Sequence, residues 1–373
     1  MGVRRAVRRH SAAPRVPRAG LVGALVLPVV LAVAVAGPAR ADVPAGGRVS
    51  GAPERVLRDA RQVAVGVVSA QATTVARQRA ARAYWTRSRM LAARPVGLRV
   101  GADGRTVAVA QQASGRHARG TAPTSVVRRL SPARAPVVTG AAWPLPASPV
   151  VRTTGKVFFT MNGWDYVCSG SAVSSPDAST VLTAGHCVNE GGDGVTPGAY
   201  ATHLVFVPGY RDGAAPYGTF AATHLVTTSG WRTGGDFDVD VAFANVGHDG
   251  AGRTLTQAVG GQPIAFHRPR GGAVTVLGYP AAAPYTGERL TYCAGPLRQD
   301  SIGLGPDQGL RCDLTPGSSG GPWLADFDPV LGAGSLVSVT SFSYTQHPGV
   351  LWGPYLGATA QSLYTAVAGT TSA

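Results

Sequence analysis

The chain has 373 residues, 45% of them hydrophobic and 14% charged, with 34 Lys and Arg against 19 Asp and Glu and a formal net charge of +15. That length exceeds one mid-sized domain and predicts one sizeable domain with added segments. The charge is confined to the front. Residues 1–150 hold 24 Arg, no Lys and four acids, whereas residues 151–373 hold 10 Lys and Arg against 15 acids. An Arg-rich front without interleaved aromatics or a recognition motif argues against nucleic acid as a partner; it fits an intramolecular partner of the acidic domain that is later removed.

Residues 1–41 read as a secretory signal. Arg4, Arg5, Arg8, Arg9, Arg15 and Arg18 precede an apolar run over 20–35, and Ala39-Arg40-Ala41 supplies a small-x-small cleavage site. The run is short and contains Pro28, which argues against a retained membrane anchor. Arg8-Arg9 lie too far from it for a good twin-arginine signal, so the general export route is expected.

Residues 42–149 are expected to form a propeptide and an Arg/Pro-rich linker. A helical stretch is predicted over 53–94, where Val56, Ala60, Val63 and Val67 recur at helical spacing. Beyond Met90 the chain is rich in Pro, Gly, Ser and Arg with no sustained period. That composition predicts an exposed linker open to proteolysis.

From residue 150 the pattern changes to brief β-type runs, over 157–160, 166–173, 203–207, 239–246, 274–279 and 336–344, separated by Gly, Pro and Asp. Many short strands at close spacing predict an all-β sandwich or barrel. The last segment differs: Leu356, Ala360, Leu363, Tyr364 and Val367 mark an amphipathic C-terminal helix.

The four cysteines, Cys168, Cys187, Cys293 and Cys312, all lie in the second part. No C-x-x-C cluster favours zinc, and no acid cluster requires calcium, so no metal or other cofactor is expected. Of the three possible pairings the two local ones, Cys168 with Cys187 and Cys293 with Cys312, are favoured. Disulfides place the protein in an oxidising compartment, in agreement with an export signal and an extracellular destination.

Two stretches carry chemistry. In Gly317-Ser318-Ser319-Gly320-Gly321-Pro322, glycines free the backbone to lift the Ser319 hydroxyl clear and to turn peptide N–H groups toward one point beside it. A serine hydroxyl needs a base within hydrogen-bond reach, and histidine is the natural one at neutral pH. Of eight histidines, His186 stands apart in Thr183-Ala184-Gly185-His186-Cys187, where a strand ends in small residues and the adjacent cysteine can pin the ring. His203, His224, His248 and His267 have no partner motif and read as ordinary surface or core residues.

Those two motifs, with Cys168-Ser169-Gly170-Ser171 upstream, resemble the histidine, serine and bridging-cysteine motifs of chymotrypsin-fold (trypsin-like) serine peptidases. Cys312-Asp313-Leu314-Thr315-Pro316 and Val276-Leu277-Gly278-Tyr279-Pro280 resemble the secreted bacterial branch related to glutamyl endopeptidases. Tyr84-Trp85-Thr86 to Met90 is similar to a segment of propeptides in actinobacterial-type enzymes. The resemblance spans 150–373 and implies two antiparallel six-stranded β-barrels with the site between them. It implies that Ser319 is the nucleophile and His186 the base, with the oxyanion held between the N–H groups of Gly317 and Ser319. The orienting carboxylate is Asp240, whose Asp240-Val241-Ala242-Phe243 matches the family pattern, or Asp238. Strand alternation puts both on one face and does not separate them, whereas Asp236 reads as a loop acid.

The same resemblance makes Asp313 either the acid of a pocket for Arg or Lys or a structural carboxylate, and makes Thr340, Ser341, Phe342 and Ser343 the pocket-lining, substrate-pairing strand. His347, just beyond it, is the nearest histidine for a glutamyl preference and is not backed. Ser318 stands where digestive relatives carry an Asp that binds the freed N-terminal amine. Activation by that ion pair is therefore not expected, and propeptide removal is expected mainly to uncover the site. The partners implied are peptide or protein substrates and the chain's own propeptide. No membrane partner is expected after signal removal, and the expected state is a monomer. A non-catalytic binding protein on the same fold is the alternative. An esterase with a Gly317-x-Ser319-x-Gly321 elbow is less favoured, because its fold would place the histidine after the serine.

Overall fold

The computed structural model describes residues 68–108 and 137–369. The export signal and the helical positions Val56, Ala60, Val63 and Val67 lie outside the described residues. The front part opens with strand β1 (Ser69–Ala70), followed by helices α1 (Val75–Tyr84) and α2 (Arg87–Ala92). Each helix starts on a threonine whose hydroxyl accepts an orphan N–H of the first turn, Thr74 from Arg77 and Thr86 from Arg89. Strands β2 (Arg94–Pro95), β3 (Leu98–Val100) and β4 (Thr106–Ala108) come next.

Within the described residues, the exposed linker expected beyond Met90 needs correction. Ala93, Pro95 and Val100 are buried, and β2 and β3 pair with strands that lie beyond residue 150. Strands of two or three residues leave no periodicity in a sequence, because their order comes from the backbone partners. Strand β5 (Val138–Ala142) likewise pairs antiparallel with a strand of the C-terminal half, so the unit expected to begin at Val150 takes in residues upstream of it.

After helix α3 (Pro149–Thr153) come β6 (Thr154–Met161), β7 (Trp164–Ala172), β8 (Thr180–Thr183), β9 (Thr202–Pro208) and β10 (Phe220–Thr227). Helix α4 (Ser229–Gly234), β11 (Ala242–Val246) and helix α5 (Leu255–Val259) complete this half. The six strands run in the order β10-β11-β8-β7-β6-β9 and close through β9–β10 pairing into the first barrel. Phe158, Phe206, Phe220, Phe243, Leu182 and Leu225 fill it.

The second half contains β12 (Ala273–Gly278), β13 (Thr291–Pro296), β14 (Arg298–Gln299), β15 (Gln308–Arg311), β16 (Pro322–Asp328), β17 (Ala333–Val339), β18 (Phe342–Tyr344) and β19 (Val350–Gly353). They pair as two antiparallel sheets, β17-β16-β12-β13-β5 and β14-β15-β19-β18, and β3-β4 extends the latter. The single run expected over 336–344 breaks at Thr340–Ser341. There the backbone turns from the β16 ladder to bond Gly320, Gly321 and Trp352. The two disulfides are the local ones, Cys168–Cys187 and Cys293–Cys312; the second sits in the core with Trp323, Leu310 and Val276. Helix α6 (Ala358–Ala368) is the expected C-terminal helix and lays Leu363 and Val367 on the first barrel, with Tyr364 against Phe243. Among the described residues no helix is long and apolar enough to cross a membrane.

Candidate active site

The serine turn is fastened to both halves. Gly317 has φ +99°, a conformation that side chains resist. Its carbonyl accepts from Ser169 Oγ at 2.8 Å, and the same hydroxyl accepts the Tyr279 N–H at 2.9 Å. Ser169 N–H donates to the Ser319 carbonyl at 2.7 Å, and Gly320 N–H donates to the Thr340 carbonyl at 2.7 Å. Strand β7, the end of β12 and the break between β17 and β18 therefore converge on one loop. Ser318, where an acid would seek an amine, instead donates its hydroxyl to the Thr315 carbonyl at 2.8 Å.

His186 lies on a 3-10 turn (Gly185–Cys187) directly after β8, and the Cys168–Cys187 disulfide ties that turn to β7. Its Nδ1 is 2.8 Å from Asp240 Oδ2, and its backbone N–H donates to Asp240 Oδ1, also at 2.8 Å. Asp240 is fully buried just before β11, and its Oδ2 also accepts from Ser341 Oγ. Three donors offset the burial of a carboxylate that would otherwise be costly. With Nδ1–H given to Asp240, the free lone pair of the ring sits on Nε2. That atom is buried and has no hydrogen-bond partner among the described residues.

Asp238 is a different kind of group. The strand expected over 239–246 begins only at Ala242, and Phe237–Val239 is a 3-10 turn, so the alternation that tied Asp238 to Asp240 does not apply. The Asp238 carboxylate faces Gly305, where an added Cβ would meet Oδ1 at 2.0 Å. Burial first, then Asp236 and Asp300, push its carboxyl up to about 6, which makes it a poor counter-charge for an imidazolium. Asp236 accepts the Asp238 N–H. Behind them Tyr344 Oη donates to Asp300 Oδ2 at 2.6 Å, and burial with the neighbouring Asp238 and Asp300 pushes the Asp307 carboxyl well up.

A cavity of about 260 Å³ opens beside Ser319, lined by Asp313, Leu314, Thr340, Ser341, Phe342, Ser343 and Val350 among others. Each residue expected to contact substrate thus borders one space. Two of the side chains are engaged elsewhere: Thr340 Oγ1 accepts the Trp323 indole N–H, and Ser341 holds Asp240. Asp313 lines the wall with its carboxylate committed to Tyr285 Oη at 2.6 Å. His203 contacts the front segment: its carbonyl accepts from Trp85 Nε1 at 2.6 Å and its ring stacks on Tyr84.

Sequence reasoning assigned no role to two features. Lys156, with its side chain 3% exposed, lies 3.7 Å from Glu288 and over the Tyr210 ring, and burial lowers it to about 8. Tyr210 Oη donates to the same Glu288. The pair of buried Lys156 and half-buried Glu288 anchors the segment whose Ala281 N–H and Ala282 carbonyl brace Pro316 and Thr315. The other is Val96: its carbonyl accepts from Gly317 N–H at 2.8 Å and from Ser319 Oγ at 3.1 Å. Residues of such ordinary type leave no chemical mark in a sequence.

A family model for the trypsin-like peptidase domain matches residues 168–332. Protease Anisep from Arthrobacter nicotinovorans is 41% identical, over 59% of this chain and 97% of its own, with a TM-score of 0.54. The thermostable serine protease AL20 from an extremophilic microorganism is 42% identical, over 60% of this chain and all of its own, with a TM-score of 0.55. Among curated proteins none matches the chain significantly. With His186 and Asp240 buried and paired beside the turn that carries Ser319, the chain belongs to the trypsin-like, chymotrypsin-fold serine peptidases of bacteria and is a serine endopeptidase.

Proposed function

We propose that the protein is the precursor of a secreted endopeptidase that cuts peptide bonds through an acyl-enzyme formed on Ser319. His186 Nε2 takes the Ser319 proton during attack on the scissile carbonyl and then gives it to the leaving amine. Asp240 holds the tautomer and stabilises the imidazolium, and Ser341 holds Asp240. The tetrahedral oxyanion sits between the N–H groups of Gly317 and Ser319. Water then attacks the ester by the same proton route in reverse. The observation that carries this reading is the carbonyl of Val96, held by Gly317 N–H and Ser319 Oγ together, where a reacting carbonyl would be received.

Residues 1–41 direct export, and the front segment is a propeptide. Because β5 pairs with β13, the maturation cut falls upstream of Val138. The stretch between 108 and 137, with Arg116, Arg119, Arg128, Arg129 and Arg134, supplies basic residues at which it is cut. Asp313 is a structural carboxylate, and the walls formed by Leu314, Thr340, Ser343 and Val350 favour an uncharged side chain before the cut. The mature enzyme is a monomer that needs no metal. Digestion of a peptide library by the processed protein tests activity and preference together. Ser319→Ala should abolish cleavage and fluorophosphonate labelling; an Ala variant that turns over at the parent rate would end this reading and leave a binding protein or another nucleophile.

A further inference from the structure

The front segment crosses the site in an orientation that bears on regulation. Arg94 and Pro95 pair parallel with Tyr166 and Val167 of β7, and Val96 N–H continues that ladder to the Val167 carbonyl at 3.2 Å. The Val96 carbonyl then meets Gly317 N–H and Ser319 Oγ. Leu98, Arg99 and Val100 run parallel to Phe342, Ser343 and Tyr344, and Thr345 N–H closes the ladder on the Val100 carbonyl at 3.0 Å. Leu98 and Val100 pack on the cluster of Phe342, Tyr344, Trp352 and Phe237. Upstream, buried Trp85 and Met90 and the Arg89–Asp165 pair dock the helices on the first barrel.

A bond is cut only if the amide nitrogen that follows the held carbonyl can receive a proton from the imidazole. Here the residue that follows is Gly97, pressed against Pro316: a Cβ at 97 would lie 2.8 Å from Pro316 Cγ. From there the chain leaves along β18. His186 Nε2 bonds nothing among the described residues, so the Gly97 N–H is not held at the acid. Ser319 meanwhile points its hydroxyl at the carbonyl oxygen, away from a proton transfer to the ring.

We propose that residues 94–100 are a reverse-threaded inhibitor: the cleft receives them with a carbonyl on the Gly317 N–H and the Ser319 hydroxyl but with opposite chain polarity to a substrate, so that they block it without being cut. This rests on the assignment of Ser319 and His186 above. Glycine at 97 is required by the approach to Pro316, and the pairing on both barrels lets the segment stay bound after the chain is cut downstream of it.

Two measurements test this. The full-length precursor and its Gly97→Val variant are exposed to a fluorophosphonate before processing; the variant should label at least about tenfold faster, a gain that a misfolded site would not give. The capped peptide Arg-Pro-Val-Gly-Leu-Arg-Val, added to processed enzyme, should inhibit competitively, and mass spectrometry should find its Val-Gly bond intact after the substrate is consumed. Its Gly→Val analogue should inhibit at least about tenfold more weakly. Cleavage of that Val-Gly bond, absence of inhibition, or equal labelling of both precursors would overturn the proposal. If processed enzyme neither takes the fluorophosphonate nor digests peptides, the assignment of Ser319 and His186 fails with it, and that outcome is separate from a failure of polarity alone.

Discussion

Ser169→Ala tests how the nucleophile loop is held. The Ser169 hydroxyl is fully buried, donates to the Gly317 carbonyl and accepts the Tyr279 N–H. Removing it leaves one backbone acceptor and one donor unpaired in the interior, at about 1–3 kcal/mol each. A loss of about 2–6 kcal/mol in unfolding free energy is therefore expected by urea titration, read in a Ser319→Ala background to prevent self-digestion. In the active enzyme, loosening of the Gly317 turn weakens an oxyanion donor. Full loss of such a donor costs about 100-fold or more, so a displaced one should lower kcat about 10- to 100-fold with KM little changed. Ser171→Ala, on the same strand, is the control: its hydroxyl is buried too but reaches only the Ala172 carbonyl at 3.3 Å, and less than about 1 kcal/mol should be lost. If Ser169→Ala unfolds within about 0.5 kcal/mol of its parent and keeps its kcat, the loop is not held in this way.

Ser341→Ala removes a donor from the Asp240 carboxylate, a charged hydrogen bond of about 1.5–3 kcal/mol; steady-state kinetics should show a fall in kcat of about 10- to 100-fold. Lys156, lowered from an ordinary 10.5 to about 8, binds fewer protons folded than unfolded between those values. Stability should accordingly rise as pH climbs from about 8 to 10.5, by roughly 3 kcal/mol at most. Chemical denaturation across that range should show the rise in the parent and its loss in Lys156→Met. The Cys168→Ala/Cys187→Ala pair opens a loop with a sequence separation of 19, at about 3 kcal/mol, and should depress kcat by freeing the His186 turn. Asp313→Asn should leave the ratio of kcat/KM for Arg-ending and apolar-ending substrates unchanged, because the carboxylate serves Tyr285.

His186 and Ser319, the base and nucleophile proposed above, stand out in the sequence because both roles need small neighbours, and runs of Gly, Ala and Ser around a lone His or Ser survive as a pattern. Asp240 was only half legible. Alternation is a property of strands, and the segment carrying Asp238 is a 3-10 turn, so only the family pattern separated the two acids. The strand expected across 336–344 hid its break, since Thr340 and Ser341 are ordinary strand residues whose backbone is diverted by the serine loop. Val96 and Gly97 were invisible for a deeper reason. They act through peptide groups and through a missing side chain, and neither has a signature in residue type.

Strand β18 is only three residues long. A brief edge limits unwanted strand addition by other chains, and it also limits how many ladder bonds an extended peptide can form there. Grip at this face is accordingly modest, and fragments can depart soon after they form. The front segment escapes that limit by reaching across to β7 as well, which gives a tethered blocker a lasting hold where a passing polypeptide has a fleeting one.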